Sequence, residues 1–432
     1  MVLRLAVVSM HTSPLDPPGV GDAGGLNVYV HETAAQLVRA GVEVTVFTRA
    51  RSLAELGSVR TPEGYRVESL AAGPLEQVAK DQLPEFVPEF SAGLAARLSG
   101  HDLVHSHYWL SGLSVAQAVP RLPHVHTAHT MARAKNAALA PGQQPEPSIR
   151  LDTEQWLLSE VQRLTVNTHA ERDSLLADGP QSMARVDVVA PGVDLANFRP
   201  GHRAEAKRAL GLNPDRHQLL FVGRIQPLKG PDLLIRAADT LVGGAGRDDL
   251  EVVICGDLGT GSEWLLAQAR GASVPVRFEP AQSKQGLAAW YRAASLTAMP
   301  SHSESFGIVA LESQACGTPV VVSDVGGLRT SAQHDVGGIT VAGRQPEHWG
   351  RAMDRLLSDE GDYQRLSSGA RAYAEQFSWQ ATAAALYDTY ECASRPAWHG
   401  NPAARQEPQL GSAALGAVGV AGPGPCERMQ HE

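Results

Sequence analysis

Gly25-Leu26-Asn27-Val28-Tyr29-Val30-His31-Glu32-Thr33-Ala34-Ala35-Gln36-Leu37-Val38-Arg39-Ala40-Gly41-Val42-Glu43-Val44-Thr45-Val46-Phe47 holds two periods in one run. Leu26, Val30, Ala34, Leu37 and Val38 recur at helical spacing and predict one apolar helix face over residues 25–40. Gly41 stands where a helix end favours a residue without a Cβ. Residues 42–47 then form a β-branched run that predicts a strand, and residues 3–9 are a similar run upstream. Strand, helix and strand in sequence predict a parallel sheet covered on both faces.

Outward from this unit the alternation continues. Further strands are predicted at 102–105, 123–126, 164–166 and 186–189, with helices at 89–98, 149–161 and 170–177. Pro and Gly interrupt the pattern at Ala190-Pro191-Gly192-Val193-Asp194 and again at Phe198-Arg199-Pro200-Gly201, as in a linker. Alternation restarts with a strand at 218–222, a helix at 231–241, a strand at 250–255 and a helix at 263–270. Strands at 295–299 and 319–323 flank a helix at 306–316, and helices at 348–358 and 362–377 close the unit. The expected division is residues 1–195, residues 196–378, a helix at 379–393, and a tail at 394–432. That tail is rich in Pro, Gly and Ala and is expected to be disordered.

The 432 residues suit two or three domains, and a hydrophobic content of 43% is ample for their cores. A net charge of -9 argues against a nucleic-acid binder or a polybasic membrane anchor. Cys255, Cys316, Cys392 and Cys426 form no CxxC pair and no zinc spacing, which favours a reduced, cytoplasmic protein. Residues 1–10 are apolar but run into His11-Thr12-Ser13-Pro14 without a small-residue cleavage site. A buried strand therefore fits better than a signal peptide. No apolar run is long enough for a membrane span.

Three stretches point to an anionic ligand. Pro17-Pro18-Gly19-Val20-Gly21-Asp22-Ala23-Gly24-Gly25-Leu26-Asn27 spells a literal GxGxxG. The second strand, however, ends in Phe47-Thr48-Arg49, with no acidic residue for a dinucleotide's ribose. A Gly-rich loop opening a helix near Gly25 suits a phosphate better, because free N–H groups and the helix dipole gather there. The alternative is a loop with no ligand. Gly223-Arg224-Ile225-Gln226-Pro227-Leu228-Lys229-Gly230 puts two cations in a turn that can flank a diphosphate. Each charge-assisted hydrogen bond there would contribute about 1.5–3 kcal/mol. In the segment from Pro300 to Val320, Glu304 precedes a helix and Glu312 sits two turns inside it, which suits one extended ligand held at two points. Taken alone, a dipole-stabilising Glu304 and a solvated Glu312 would be the simpler reading. His105, His107, His124, His126 and His129 invite a metal, but alternate strand residues face opposite ways and no Cys or carboxylate completes a set. A substrate-facing His at a strand end is the better expectation.

Glu304-Ser305-Phe306-Gly307 with Gly317-Thr318-Pro319-Val320, together with the turn at 223–230, resembles the signature of retaining glycosyltransferases of family 4. The resemblance narrows over Ser9-Met10-His11-Thr12-Ser13-Pro14, the loop from Gly21 to Val30, His105-Ser106-His107-Tyr108-Trp109-Leu110-Ser111-Gly112 and His126-Thr127-Ala128-His129-Thr130. There it is similar to the inositol 3-phosphate branch that serves mycothiol biosynthesis. It covers about residues 3–393.

The resemblance implies an α/β GT-B fold, with two Rossmann-like parallel-sheet domains facing a cleft. It implies transfer of N-acetylglucosamine from UDP-N-acetylglucosamine to 1D-myo-inositol 3-phosphate. The acceptor would meet His11, Asp22, Ala23, Gly24, Gly25, Leu26, Asn27, Lys80, Tyr108, Thr130 and Arg150. The donor would meet Pro17, Pro18, Gly25, Arg224, Lys229, Gln282, Glu304 and Glu312. A structural magnesium ion would fall at Tyr291, Arg292, Ala294 and Thr318, residues that offer mostly backbone oxygens. His129, Arg224, Lys229 and Glu304 would carry the chemistry: the cations hold the diphosphate, Glu304 and His129 the sugar. The partners expected are these two small molecules, with a homodimer as the assembly to look for.

The chain departs from the family at Gly256-Asp257-Leu258 and at Gln282-Ser283-Lys284-Gln285, where the family has a Gly-Gly-Pro turn and prolines. Rival readings are a mannosyl- or sucrose-phosphate-type transferase, a UDP-sugar epimerase, and a nucleotide-sugar sensor without activity.

Overall fold

The computed structural model describes residues 2–19, 23–118, 122–140, 142–177, 185–259 and 261–395. Asp22 and the tail beyond Arg395 lie outside them. In the first half the strands are β1 (Arg4–Val8), β2 (Glu43–Arg49), β3 (Gly57–Arg60), β4 (Arg66–Leu70), β5 (Leu103–His107), β6 (His124–Thr127), β7 (Arg163–Val166) and β8 (Val186–Val188). The second half holds β9 (His217–Val222), β10 (Leu250–Cys255), β11 (Val276–Glu279), β12 (Leu296–Met299), β13 (Val320–Ser323) and β14 (Gly338–Val341). Among the described residues they form two sheets, ordered β3-β4-β2-β1-β5-β6-β7-β8 and β11-β10-β9-β12-β13-β14. Every pairing is parallel except β3 with β4.

The central strands are buried on both faces, because helices cover both sides of each sheet. Leu5, Val7, Val44 and Val46 pack under Tyr29, Val30, Ala34 and Leu37 of the first helix, Gly25–Arg39. In the second half Leu219, Phe221, Val252 and Ile254 pack under Leu233, Leu234, Ala237 and Trp349. The elements expected at 3–9, 25–40, 42–47, 250–255 and 263–270 all occur, within a residue or two at their ends.

The strand order reverses direction beside β1 in one sheet and beside β9 in the other. Ligands of open α/β sheets bind beyond the carboxyl ends of strands at such switch points. His11 follows β1, Tyr108 follows β5 and His129 follows β6. Residues 223–229 follow β9 and residues 300–304 follow β12. The two switch points thus supply the residues on which a shared cleft is built.

The last helix, Trp379–Ser394, crosses back to the first half. Its Trp379, Ala383, Leu386 and Tyr390 belong to the same apolar cluster as Leu5 and Val7. Val193 and Ser378 form a parallel bridge where the outgoing and returning chains pass each other. A Cβ on Gly192 would lie 2.3 Å from the Trp379 nitrogen, so only glycine allows this crossing.

Candidate active site

The cleft between the halves encloses about 910 Å³. Every residue expected to touch acceptor or donor lines it, except Ala23, which is buried to one side, and the undescribed Asp22. The Gly-rich loop spans the gap. A Cβ on Gly24 would lie 3.6 Å from Arg224 Nε, and one on Gly25 3.8 Å from Ile308 Cδ1. At both positions the start of the first helix stands within ordinary van der Waals reach of the other half. Asn27 holds this loop rather than reaching outward. Its carbonyl accepts from the Gly24 N–H at 3.0 Å, and its amide donates to Thr12 Oγ1 at 2.6 Å and the Ser13 carbonyl at 2.5 Å.

On the first half, Lys80 Nζ lies 4.4 Å from the Tyr108 ring centre and the Arg150 guanidinium 4.7 Å, so two cations stand against one ring. The His11 ring packs 4.5 Å from the same ring. Burial holds His11 neutral, and Lys80, His129, Arg150 and Arg224 reinforce this in that order. Its Nδ1 is buried without a hydrogen-bond partner in the protein. Thr130 donates its hydroxyl to the His129 carbonyl and offers its own carbonyl to Arg150.

His129 sits at φ 62, a left-handed conformation unusual for a side-chain-bearing residue. Its Nε2 lies 2.9 Å from His107 Nδ1 in one shared hydrogen bond, and its ring meets Tyr29 edge-on at 5.2 Å. Burial pushes its pKa down to about 3, so the imidazole is neutral at ordinary pH. The other histidines are also buried and satisfied: His105 between Tyr390 and Thr127, His124 and His126 both on Ser106. Among the described residues no group of His, Cys, Asp and Glu could hold a metal.

On the second half, Lys229 donates to Glu304 Oε2 at 2.5 Å. Helix Ile308–Ala315 begins two residues later than expected, because Gly307 is left-handed at φ 98. Glu312 therefore lies just over one turn inside, not two. It is buried, not solvated, and accepts from Tyr291 Oη at 2.8 Å. Burial raises its pKa to about 7. Gly256, where the chain departs from the family turn, approaches the Gly223 carbonyl so closely that a Cβ would lie 2.1 Å from it.

Sequence reasoning missed one contact. Lys284 bridges the cleft to Glu32 of the first helix and, at 3.3 Å, to Asp194 of the linker. The departure from the family pattern at 282–285 was its only signal. The four residues assigned to magnesium lie away from the cleft lining, at the end of helix Lys284–Ala293. Thr318 Oγ1 donates to the Tyr291 carbonyl at 2.7 Å, and the Arg292 guanidinium is spent on the Arg199 and Asn197 carbonyls. No helix among the described residues is long and apolar enough to cross a membrane.

Known proteins resemble the chain over both halves. Glycosyltransferase Family 4 matches residues 23–197, and Glycosyl transferases group 1 matches residues 202–373. A D-inositol 3-phosphate glycosyltransferase of Frankia alni is 48% identical over 90% of this chain and 99% of its own. One from Mycobacterium avium is 47% identical over 91% of this chain and 94% of its own. The sucrose-phosphate synthase structure of Thermosynechococcus elongatus superposes with a TM-score of 0.84 at 27% identity, covering 90% of this chain and 98% of its own. The Anabaena Alr3699/HepE structure in complex with UDP and glucose gives 0.72 at 18% identity, over 90% and 99%, a likeness of fold alone.

Proposed function

The chain belongs to the D-inositol 3-phosphate glycosyltransferase family, and on that premise we propose that it transfers N-acetylglucosamine from UDP-N-acetylglucosamine to 1D-myo-inositol 3-phosphate. UDP is released, and the step is the first of mycothiol biosynthesis. One observation carries this reading: the two halves bring separate cation sets to a single cleft, Arg224 and Lys229 from one, Lys80 and Arg150 from the other. Two anionic substrates, one carrying a diphosphate and one a phosphate, need such a pair of sites.

Arg224 and Lys229 hold the diphosphate and stabilise the charge that grows on it as the sugar bond breaks. Glu312 takes the ribose hydroxyls, and Glu304 and neutral His129 take the sugar. Lys80, Tyr108, Thr130 and Arg150 hold the acceptor's phosphate and aim its hydroxyl at the anomeric carbon. The described carboxylates lining the cleft are each engaged already: Asp16 with Arg51, Glu32 with Lys284, Glu304 with Lys229 and Glu312 with Tyr291. None stands free as a nucleophile, which favours attack from the face the leaving group vacates, with the leaving phosphate accepting the proton. The stereochemistry at the anomeric carbon is then retained.

A structural magnesium ion belongs to the same reading. The last carbonyls of a helix lack intrahelical partners and carry its negative end, which suits the residue 291–294 turn beside Thr318. A bound ion there would brace that helix end through oxygen ligands. The cytoplasm suits the buried free thiols Cys255 and Cys316. A homodimer belongs to the same reading and is checked by sedimentation.

Mass spectrometry of products from UDP-N-acetylglucosamine and 1D-myo-inositol 3-phosphate tests the proposal. A glycosylated inositol phosphate is expected. Product only with another sugar-phosphate acceptor would transfer the assignment to the sucrose-phosphate type.

A further inference from the structure

The surroundings of Arg150 carry a step that rests on the acceptor-phosphate reading. Each nitrogen of its guanidinium already donates to the protein: Nε to Glu154 at 2.7 Å, Nη1 to Glu146 at 2.7 Å and Nη2 to the Thr130 carbonyl at 2.5 Å. Glu146 also takes the ammonium of Lys135, which lines the cleft. One carboxylate therefore bridges two cations.

The two carboxylates are placed differently. Glu154 is 4% exposed and also accepts the Ala132 N–H at 2.6 Å, so it is part of the packing. Glu146 is 15% exposed and stands on the chain entering helix Ser148–Glu160, beyond the cleft lining. Of the two, it is the less enclosed, with its backbone N–H held by Asn136 and its carboxylate nearer solvent.

Charge decides what movement does. Lys135 and Arg150 pair with Glu146 and Glu154, a set with no net charge. A phosphate monoester carries about -1.5 to -2. With both carboxylates in place the phosphate would exceed the charge that receives it. With Glu146 released, Lys135 and Arg150 face one carboxylate and keep one net positive charge for the phosphate to meet.

We infer that Glu146 is a resident counter-anion, which the acceptor's phosphate displaces from Lys135 and Arg150, and that Lys135 is thereby a further phosphate ligand. An acceptor lacking phosphate has no charge with which to displace it and leaves Arg150 occupied. Selectivity for a phosphorylated acceptor follows from this exchange.

Calorimetric titration of the full chain with inorganic phosphate, with UDP saturating the donor side, tests the exchange apart from the reaction. Glu146→Gln is expected to bind phosphate about tenfold more tightly than wild type, and Lys135→Met about tenfold more weakly. UDP affinity should be the same in all three, which shows that the fold is intact. Unchanged or weaker phosphate binding in Glu146→Gln overturns the counter-anion, and unchanged binding in Lys135→Met removes Lys135 as a ligand. If both variants behave as expected yet inositol 3-phosphate gives no product, the exchange stands and the acceptor assignment fails.

Discussion

Glu312 is a carboxylate whose burial lifts it from the ordinary 4.5 to about 7. Between those values the folded chain keeps a proton that the unfolded chain has lost. The stability linked to this group is full below the ordinary value and is lost as pH rises through about 7. Glu312→Gln should therefore resist urea better than wild type at about pH 8 and equally at about pH 4. The ionised form is the better acceptor for ribose hydroxyls, so UDP affinity of the wild type should rise as pH climbs through that range. A flat pH profile by titration calorimetry would remove Glu312 from the ribose. Arg224→Ala should lower turnover by about a hundredfold to a thousandfold, the loss of one preorganised donor to developing charge. Steady-state rates near those of wild type would show that the diphosphate is held elsewhere. The resemblance to family 4 put Arg224 and Glu312 in one cleft, where the residues read alone left Glu312 solvated. It did not show what already occupies Arg150, because Glu146, Glu154 and Thr130 converge on it only after a loop and a helix are folded.

At the scale of elements, periodicity served for the central strands and failed at exposed edges and at the short, largely buried β14. The first helix and β1, β2, β9 and β10 carry apolar residues at the period of their structure. β3 is exposed at all four residues and pairs antiparallel at a sheet edge, so no alternation betrays it. β11, the outer strand of the second sheet, is only partly buried along its length and was missed in the same way. Helix Lys284–Ala293 is absent from the expected elements, although Ser283 caps it by accepting the Gly286 N–H. Helix Trp379–Ser394 was legible as a helix, but its docking against β1 was not, since nothing local points across the length of the chain. Leu386 in that helix is completely buried against the first half. Leu386→Ala should lose about 2–5 kcal/mol of unfolding free energy. Denaturant titration checks this, and a loss within error would mean the helix is not part of that core.

The whole molecule is two α/β bodies held face to face at the cleft rim. Lys284 ties them through Glu32 and Asp194, and its ammonium stays charged because those two carboxylates outweigh its partial burial. Lys284→Met removes the tie while leaving both cores intact. Small-angle scattering should then give a larger radius of gyration, and water should reach bound donor more often, raising acceptor-free release of UDP. An unchanged radius together with unchanged hydrolysis would show that Lys284 does not govern closure. The return of the final helix to the opening strands has a consequence for biosynthesis. A nascent chain that has emerged as far as the linker still lacks Trp379, Leu386 and Tyr390, which complete the interior of its first body. That body waits on the ribosome, its apolar surface uncovered, until the second has been made, and any premature stop before residue 379 releases both halves without the seal of the first.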